Sequence, residues 1–248
     1  MTSFGVTLLS GGLDSTTVTA YAKDSVDKLT AITFRYGQTH SKEIEYANLI
    51  ARKMNIAQKV IDISFLKDVA WYSALTNPHL FPIPENRPKD SIGFSIPITY
   101  VPLRNTIFLS LATALLESEI LSAIEENGLS PNETKALIYM APNIVDYSGY
   151  PDCRPDFFDK IRGALKSGSK IWTQYAIDIN IETPIINLSK SEIALMGIKL
   201  KAPLEYTWSC YEGQDLPCKT CDSCILRAKG FQEAGITDPY LVRIGKHR

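Results

Sequence analysis

Short runs of β-forming residues alternate with helical stretches along most of this 248-residue chain, and that alternation constrains the fold more than any other feature. "FGVTLL" (4–9), "LTAITF" (29–34), "AQKVIDI" (57–63), "ALIYM" (136–140) and "IDINIE" (177–182) read as strands. Helices are expected from about Thr16 to Ala22, across "EIEYANLIARKM" (43–54), and from about Asn105 towards Asn127, the last following a Pro-rich loop from Asn77 to Pro97. Strands separated by helices argue for a doubly wound α/β fold, a parallel sheet with helices on both faces. From about Pro203 the pattern changes to a cysteine-rich loop and one terminal helix. We therefore expect an α/β unit over 1–202 and a smaller C-terminal segment over 203–248.

Composition narrows the class. Hydrophobic residues make up 45% and charged residues 21%, as in ordinary soluble enzymes. A net charge of -1 provides no global basic field for nucleic acid. The basic end "RIGKHR" (Arg243, Lys246, His247, Arg248) reads as a solvated tail. The apolar stretch around "TIFLSLATALL" falls short of the roughly 20 residues of a membrane span. "MTSFG" lacks the charged and apolar regions of a secretory leader, so the expectation is a cytoplasmic protein with no membrane partner.

The chemistry begins at "LSGGLDSTT", residues 9–17, between the first strand and first helix, where open α/β sheets bind ligands. Leu9, Ser10, Gly11, Gly12 and Leu13 form the turn, whose glycines let backbone N–H groups converge on an anion. Asp14 follows, and Ser15 and Thr16 lie at the helix start, where the dipole and free N–H groups add anion affinity. The loop is neither a Walker A nor a dinucleotide motif, and it lacks a lysine. A plain hydroxyl-capped turn is the alternative. S-G-G-x-D-S resembles the pyrophosphate loop of PP-loop ATPases, which have the adenine nucleotide alpha hydrolase-like fold. The resemblance implies that the loop holds the β- and γ-phosphates while a substrate oxygen attacks the α-phosphorus, giving AMP and pyrophosphate. Backbone N–H groups and Mg²⁺, contacted by Asp14 directly or through water, then replace the missing cation.

Cys210, Cys218, Cys221 and Cys224 follow C-x7-C-x2-C-x2-C, spacing that suits a closed, structural tetrahedral Zn²⁺ site. Two disulfides or an iron–sulfur cluster are the alternatives.

Four further stretches carry polar groups in unusual combination. In "RYGQTH" (35–40), Tyr36 offers a stacking face and Gln38 a hydrogen-bonding edge; a turn with a buried Tyr is the bland reading. In "YVPLRN" (100–105), Arg104 offers a fork to phosphate or carboxylate, and Asn105 a helix cap, a substrate contact or both. In "VDYSGYPDCR" (145–154), Asp146 and Asp152 can accept donors of a guanine-like edge, and Tyr147 or Tyr150 can stack. Arg154 is a substrate contact or a surface ion pair. In "TPIINLSKSE" (183–192), Ser189 and Glu192 form a capping box, which sets Lys190 in a first helical turn within reach of the loop.

Together these motifs resemble the 7-cyano-7-deazaguanine synthase family, in order and over nearly the whole chain. The resemblance implies adenylation of 7-carboxy-7-deazaguanine by ATP, capture of ammonia as an amide, and dehydration to the nitrile with a second ATP. It also implies a homodimer. Asp14, Lys190 and Arg104 form the expected catalytic set. Cys153 raises a sulfur-transfer reading, set against its place in the SGYPDCR motif and the lack of a basic surface for tRNA. Three departures stand out: Leu103 where the family has a small residue, "MAPN" (140–143) for a glycine-led turn, and a long stretch over 117–134. They keep open an enzyme that stops at the amide or conjugates the adenylate to an amine of a protein or nucleic acid. A nucleotide sensor with weak turnover is the other class.

Overall fold

A computed structural model of the chain describes residues 1–38, 42–86, 96–145 and 149–245. Five strands, β1 (Thr2–Leu8), β2 (Lys28–Arg35), β3 (Ala57–Asp62), β4 (Thr134–Tyr139) and β5 (Ile179–Glu182), form one parallel sheet in the order β3-β2-β1-β4-β5. β1 is central, with Val6 opposite Thr30 on one side and Ile138 on the other. Among the described residues the helices are α1 (Leu13–Ser25), α2 (Lys42–Met54), α3 (Leu66–Val69), α4 (Arg104–Leu121), α5 (Pro155–Ser167), α6 (Lys170–Tyr175), α7 (Lys190–Lys199), α8 (Asp222–Glu233) and α9 (Pro239–Arg243).

Strand periodicity divides the core into two layers. Phe4, Val6 and Leu8 of β1 pack with α4 and α5 on one face. On the other face α1, α2 and α7 cover the sheet, and Thr7 shares a hydroxyl hydrogen bond of 3.0 Å with Thr19 of α1. Leu109, Ala112, Leu116 and Ile120 repeat at helical spacing and are fully buried, fixing which side of α4 meets β1 and β4. α1 is unusual in being buried nearly all round by small and hydroxyl residues, because α7 lies across its outer side.

The five strands fall within a residue or two of their expected places. α1 begins at Leu13 rather than Thr16, so Asp14, Ser15 and Thr16 all lie in its first turn. Two helices follow residue 203 where one was expected, because "DPYLVR" starts a second, capped by the Asp238 side chain on the Tyr240 N–H. α5 and α6 fill the crossover between β4 and β5, which the sequence reading left as motif and loop. The long helix has its expected extent, running with a π-helical turn over Arg104–Glu126, but these 23 residues are long and apolar enough to span a membrane by length and composition, which the shorter stretch "TIFLSLATALL" did not suggest. Its packing on β1 and β4 gives it a core position.

Candidate active site

The direction of winding reverses between β1 and β4, and such a switch point opens a crevice at the carboxyl ends of the strands. A cavity of about 320 Å³ lies there, lined by the ends of β1, β2 and β4 and the starts of α1, α2, α4 and α7. That volume is within the ordinary range for small-molecule sites.

One end is built by the glycine loop. Gly11 adopts φ 85°, and a Cβ there would lie 2.5 Å from the Glu43 carbonyl oxygen and 2.8 Å from the Ala47 nitrogen. Only glycine fits that approach to α2. Gly12 is ordinary extended backbone at the N-cap of α1, so one of the two glycines, not both, needs the special conformation. Ser10 and Ser15 face the cavity and share a 3.0 Å hydroxyl contact, as do Leu9, Leu13 and Asp14. Gly11 and Thr16 lie behind the wall; the Thr16 hydroxyl donates to the Gly12 carbonyl at 2.7 Å and fastens the turn.

The missing lysine arrives from α7. Lys190 Nζ lies 2.7 Å from Asp14 Oδ2, with 13% and 27% of the two side chains exposed. The capping box holds α7 in register: the Glu192 N–H donates to Ser189 Oγ at 3.3 Å, and the Ser189 N–H to Glu192 Oε2 at 2.7 Å. The bonds that the Glu192 carboxylate accepts from the Ser189 N–H and hydroxyl lower its pKa, the backbone bond most. α8 presses on the same turn, since a Cβ on Gly230 would meet the Lys190 side chain at 2.5 Å. Asp14 Oδ1 is buried without a hydrogen-bond partner. An orphaned carboxylate oxygen beside a phosphate-type loop fits a hard divalent cation.

At the other end, Arg104 enters from the first turn of α4, its guanidinium 5.7 Å from the Tyr36 ring centre and 5.9 Å from that of Phe108. Burial works against the Arg104 charge, but the acidic groups of Tyr36, Tyr150, Asp152 and Cys153 around it outweigh burial and raise its pKa. Burial pushes the Tyr36 hydroxyl up to about 12. Gln38 also reaches the cavity, but its amide is spent on its own turn, accepting from the Tyr36 N–H at 2.8 Å and donating to the Phe34 carbonyl at 3.3 Å.

Asn105 does not cap α4. The N-cap is Leu103, and the Asn105 side chain donates to the Asp152 carbonyl at 3.1 Å. Asp152 takes the capping role, its Oδ2 accepting the Asn105 N–H at 3.3 Å, because its own turn lies against the helix start. Burial raises the Asp152 pKa against the pull of Arg104. Tyr150 lines the cavity, with its hydroxyl 2.9 Å from Thr99 Oγ1. Arg154 is exposed at the N-cap of α5 and does not reach the cavity. Asp146 and Tyr147 lie outside the described residues.

The four cysteines come together behind the glycine loop. Their Sγ atoms all lie within 4.8 Å of one another, a spacing that can hold a metal ion. Backbone N–H groups of Cys218, Thr220 and Cys221 point at the sulfurs of Cys210 and Cys218 from 3.3–3.4 Å, as suits thiolates. Hydrogen bonds from the Cys221 and Cys224 thiols lower the Cys210 pKa. The Trp208 N–H donates to the Gly11 carbonyl at 2.8 Å and its indole to the Cys210 carbonyl at 2.8 Å, tying this element to the glycine loop.

A protein-family model described as "Queuosine biosynthesis protein QueC" matches residues 5–235. The chain belongs to the QueC family. Curated relatives named 7-cyano-7-deazaguanine synthase include those of Picrophilus torridus, 46% identical over 94% of this chain and 89% of the relative, and Thermoplasma volcanium, 44% identical over 94% and 88%. The relative from a Nostoc species is 41% identical over 94% and 95%.

Against the QueC family pattern, the three departures differ in weight. Leu103 is exposed and is not part of the cavity lining. The stretch 117–134 lies at the far end of α4, away from the cavity. Met140–Asn143 do line it, and the Asn143 amide is engaged by the Ile185 carbonyl at 3.2 Å. The structure also adds residues that motif reading missed. The signals that would have found two of them are helical spacing after Arg104 for Phe108 and a place two residues before Cys210 for Trp208. Glu43 carried no motif signal: it looks like any acidic residue in a helix first turn.

Proposed function

We propose that this chain converts 7-carboxy-7-deazaguanine to 7-cyano-7-deazaguanine through an acyl adenylate and an amide, releasing AMP and pyrophosphate. The observation that carries the reading is the Lys190–Asp14 pair at the glycine loop: it supplies from α7 the cation that the loop lacks. Asp14, with its unpartnered oxygen, would hold Mg²⁺ that neutralises charge on the departing pyrophosphate. The N–H groups at the start of α1 and Lys190 bind the same phosphates, leaving the α-phosphorus to face the rest of the cavity. Arg104, held charged and flanked by Tyr36 and Phe108, orients the acid's carboxylate. Tyr150 lines the far wall, Asp152 braces the start of α4 from outside the lining, and Asp146 and Tyr147 are assigned the purine-like edge by motif alone. Cys210, Cys218, Cys221 and Cys224 hold one structural Zn²⁺. We also infer a cytoplasmic homodimer and a division at residues 202/203; the exposed Trp71 and Tyr72, in ring contact with each other, support a buried partner surface.

Incubation with the acid, ATP, Mg²⁺ and ammonium, followed by mass spectrometry, tests the reading. The nitrile, AMP and pyrophosphate are expected; ADP and phosphate would overturn it. Met140–Asn143 in the cavity wall favour one second reading, in which the amide accumulates or an amine of a macromolecule captures the adenylate.

A further inference from the structure

Amide formation from an acyl adenylate needs a base, because the attacking nitrogen must lose a proton as it is acylated. The described lining of the cavity contains two carboxylates, Asp14 and Glu43, and no histidine. Asp14 is committed to Lys190 at the phosphate end. Three groups at the end that holds Glu43 and Arg104 are poor bases near neutral pH. Burial pushes the Cys153 thiol up to about 12, Tyr36 is held equally protonated, and Arg104 keeps its charge.

Building on the proposed adenylating function, we propose that Glu43 is the catalytic base of the amine step. Ammonia attacks the acyl carbon, the C–N bond forms, and the C–O bond to AMP breaks with its electron pair leaving on the phosphate oxygen. The Glu43 carboxylate takes the proton lost from nitrogen, giving neutral amide, AMP and a protonated Glu43 that returns its proton to water.

Position and environment suit the task. Glu43 lies in the first turn of α2, whose backbone touches the loop at Gly11, so the base and the loop are set by one helix. Burial pushes its carboxyl up to about 7, with Arg104 pulling the other way. Among the described residues, the other charges around the start of α2 are engaged elsewhere. Lys42 pairs with Asp215 at 3.4 Å and sits over the Trp208 ring. Arg35 and Asp62, at the ends of β2 and β3 beneath the helix, pair with each other at 3.7 Å. Beside the turn at 204–206, Arg243 takes the Glu205 carbonyl and stacks on Tyr206, while the outward Glu45 is exposed. Burial therefore sets the direction of the Glu43 shift, and Arg104 is the described charge that opposes it.

The test separates the two half-reactions in wild type, Glu43→Gln and Glu43→Asp. Acid-dependent pyrophosphate release from ATP reads adenylation, and amide plus nitrile formed with ammonium reads capture. Glu43→Gln should keep adenylation within a few-fold, and so serve as its own folding control, while capture falls about 10²–10³-fold; Glu43→Asp should recover part of it. The wild-type to Glu43→Gln ratio of capture rates cancels the supply of free ammonia. It should rise with pH through about 7, since the carboxyl acts as base only when ionised. Equal loss of adenylation and capture in Glu43→Gln, a pH-independent ratio, or no loss at all overturns the proposal. Absence of acid-dependent pyrophosphate release in the wild type instead overturns the adenylating function on which it rests.

Discussion

The two ends of the cavity are built by different means. The phosphate end comes from one contiguous motif, 9–17, plus a lysine delivered by α7 under a capping box, and its key contact is a short ion pair. The opposite end is assembled from the turn after β2, the start of α2, the start of α4 and the 150–153 turn, and most of its polar groups bond to one another. A phosphate needs converging N–H groups and positive charge, which one helix start supplies. A heterocyclic acid needs shape, and shape requires several segments held by mutual hydrogen bonds. Substitutions should accordingly act on chemistry at the first end and on order at the second.

The largest effect is expected from Lys190→Met. It removes the charge beside the loop and leaves Asp14 uncompensated, so acid-dependent pyrophosphate release should fall about 10²–10³-fold with little change in fold. A loss below about fivefold would show that the loop neutralises pyrophosphate without α7, and the contrast between the two ends would collapse.

Next comes the cysteine element, which bears on the phosphate end from behind through the Trp208–Gly11 bond. Cys221→Ser should lose the metal and lower Tm by about 10 °C, the order expected when several kcal/mol of metal-linked folding energy disappear. The activity of the fraction that remains folded should fall less steeply. Elemental analysis finding no zinc in the wild type, or an iron absorbance band, would overturn the metal assignment.

How far the sequence disclosed these two ends follows from the same difference. The loop, the capping box and the four cysteines are local patterns, each with its own physical signature, and they led to Asp14, Lys190 and the metal cluster. The strands stand out as apolar or β-branched runs between helices, so the parallel sheet was legible, although its strand order was not read. Only the capping role read for Asn105 failed: Asn105 and Gln38 both line the cavity, but an amide looks alike whether it serves a ligand or a neighbouring backbone, and tertiary contacts with Asp152 and Phe34 engage both. Glu43 was hidden because its significance arises from burial beside Arg104, which no spacing encodes. α5 was missed although Phe158, Ile161 and Leu165 mark its packed face, because the preceding motif drew attention to chemistry instead of periodicity.

Cys153 tests the second end more gently. Burial and the Asp152 charge hold its thiol up at about 12, against the pull of Arg104 and the Asn105 amide. It should therefore resist alkylation in the folded protein at neutral pH. Cys153→Ala should cost about 1 kcal/mol of stability, for a weak Asn105 contact and a small void, and leave nitrile formation within about threefold. Loss of turnover with retained fold would revive a sulfur-transfer or nucleophilic role.

The smallest effect concerns Leu103, where the family pattern has a small residue. Its φ of 55° is in the left-handed region, where a side chain costs roughly 1–2 kcal/mol and glycine costs little. The side chain is 62% exposed, so it recovers little by burial. Its backbone N–H donates to the Tyr100 hydroxyl at 3.2 Å, which glycine would preserve. Against the relief of strain stands the extra freedom glycine gives the unfolded chain, about 0.5–1 kcal/mol. Leu103→Gly should therefore raise stability by about 0.5 kcal/mol, readable as a slightly higher Tm, with KM for the acid unchanged because the residue lies outside the cavity. A rise in KM would show that Leu103 holds Arg104 in place from the preceding turn. That would move it from backbone geometry into the substrate end, and make the second end depend on its surface as well as its interior.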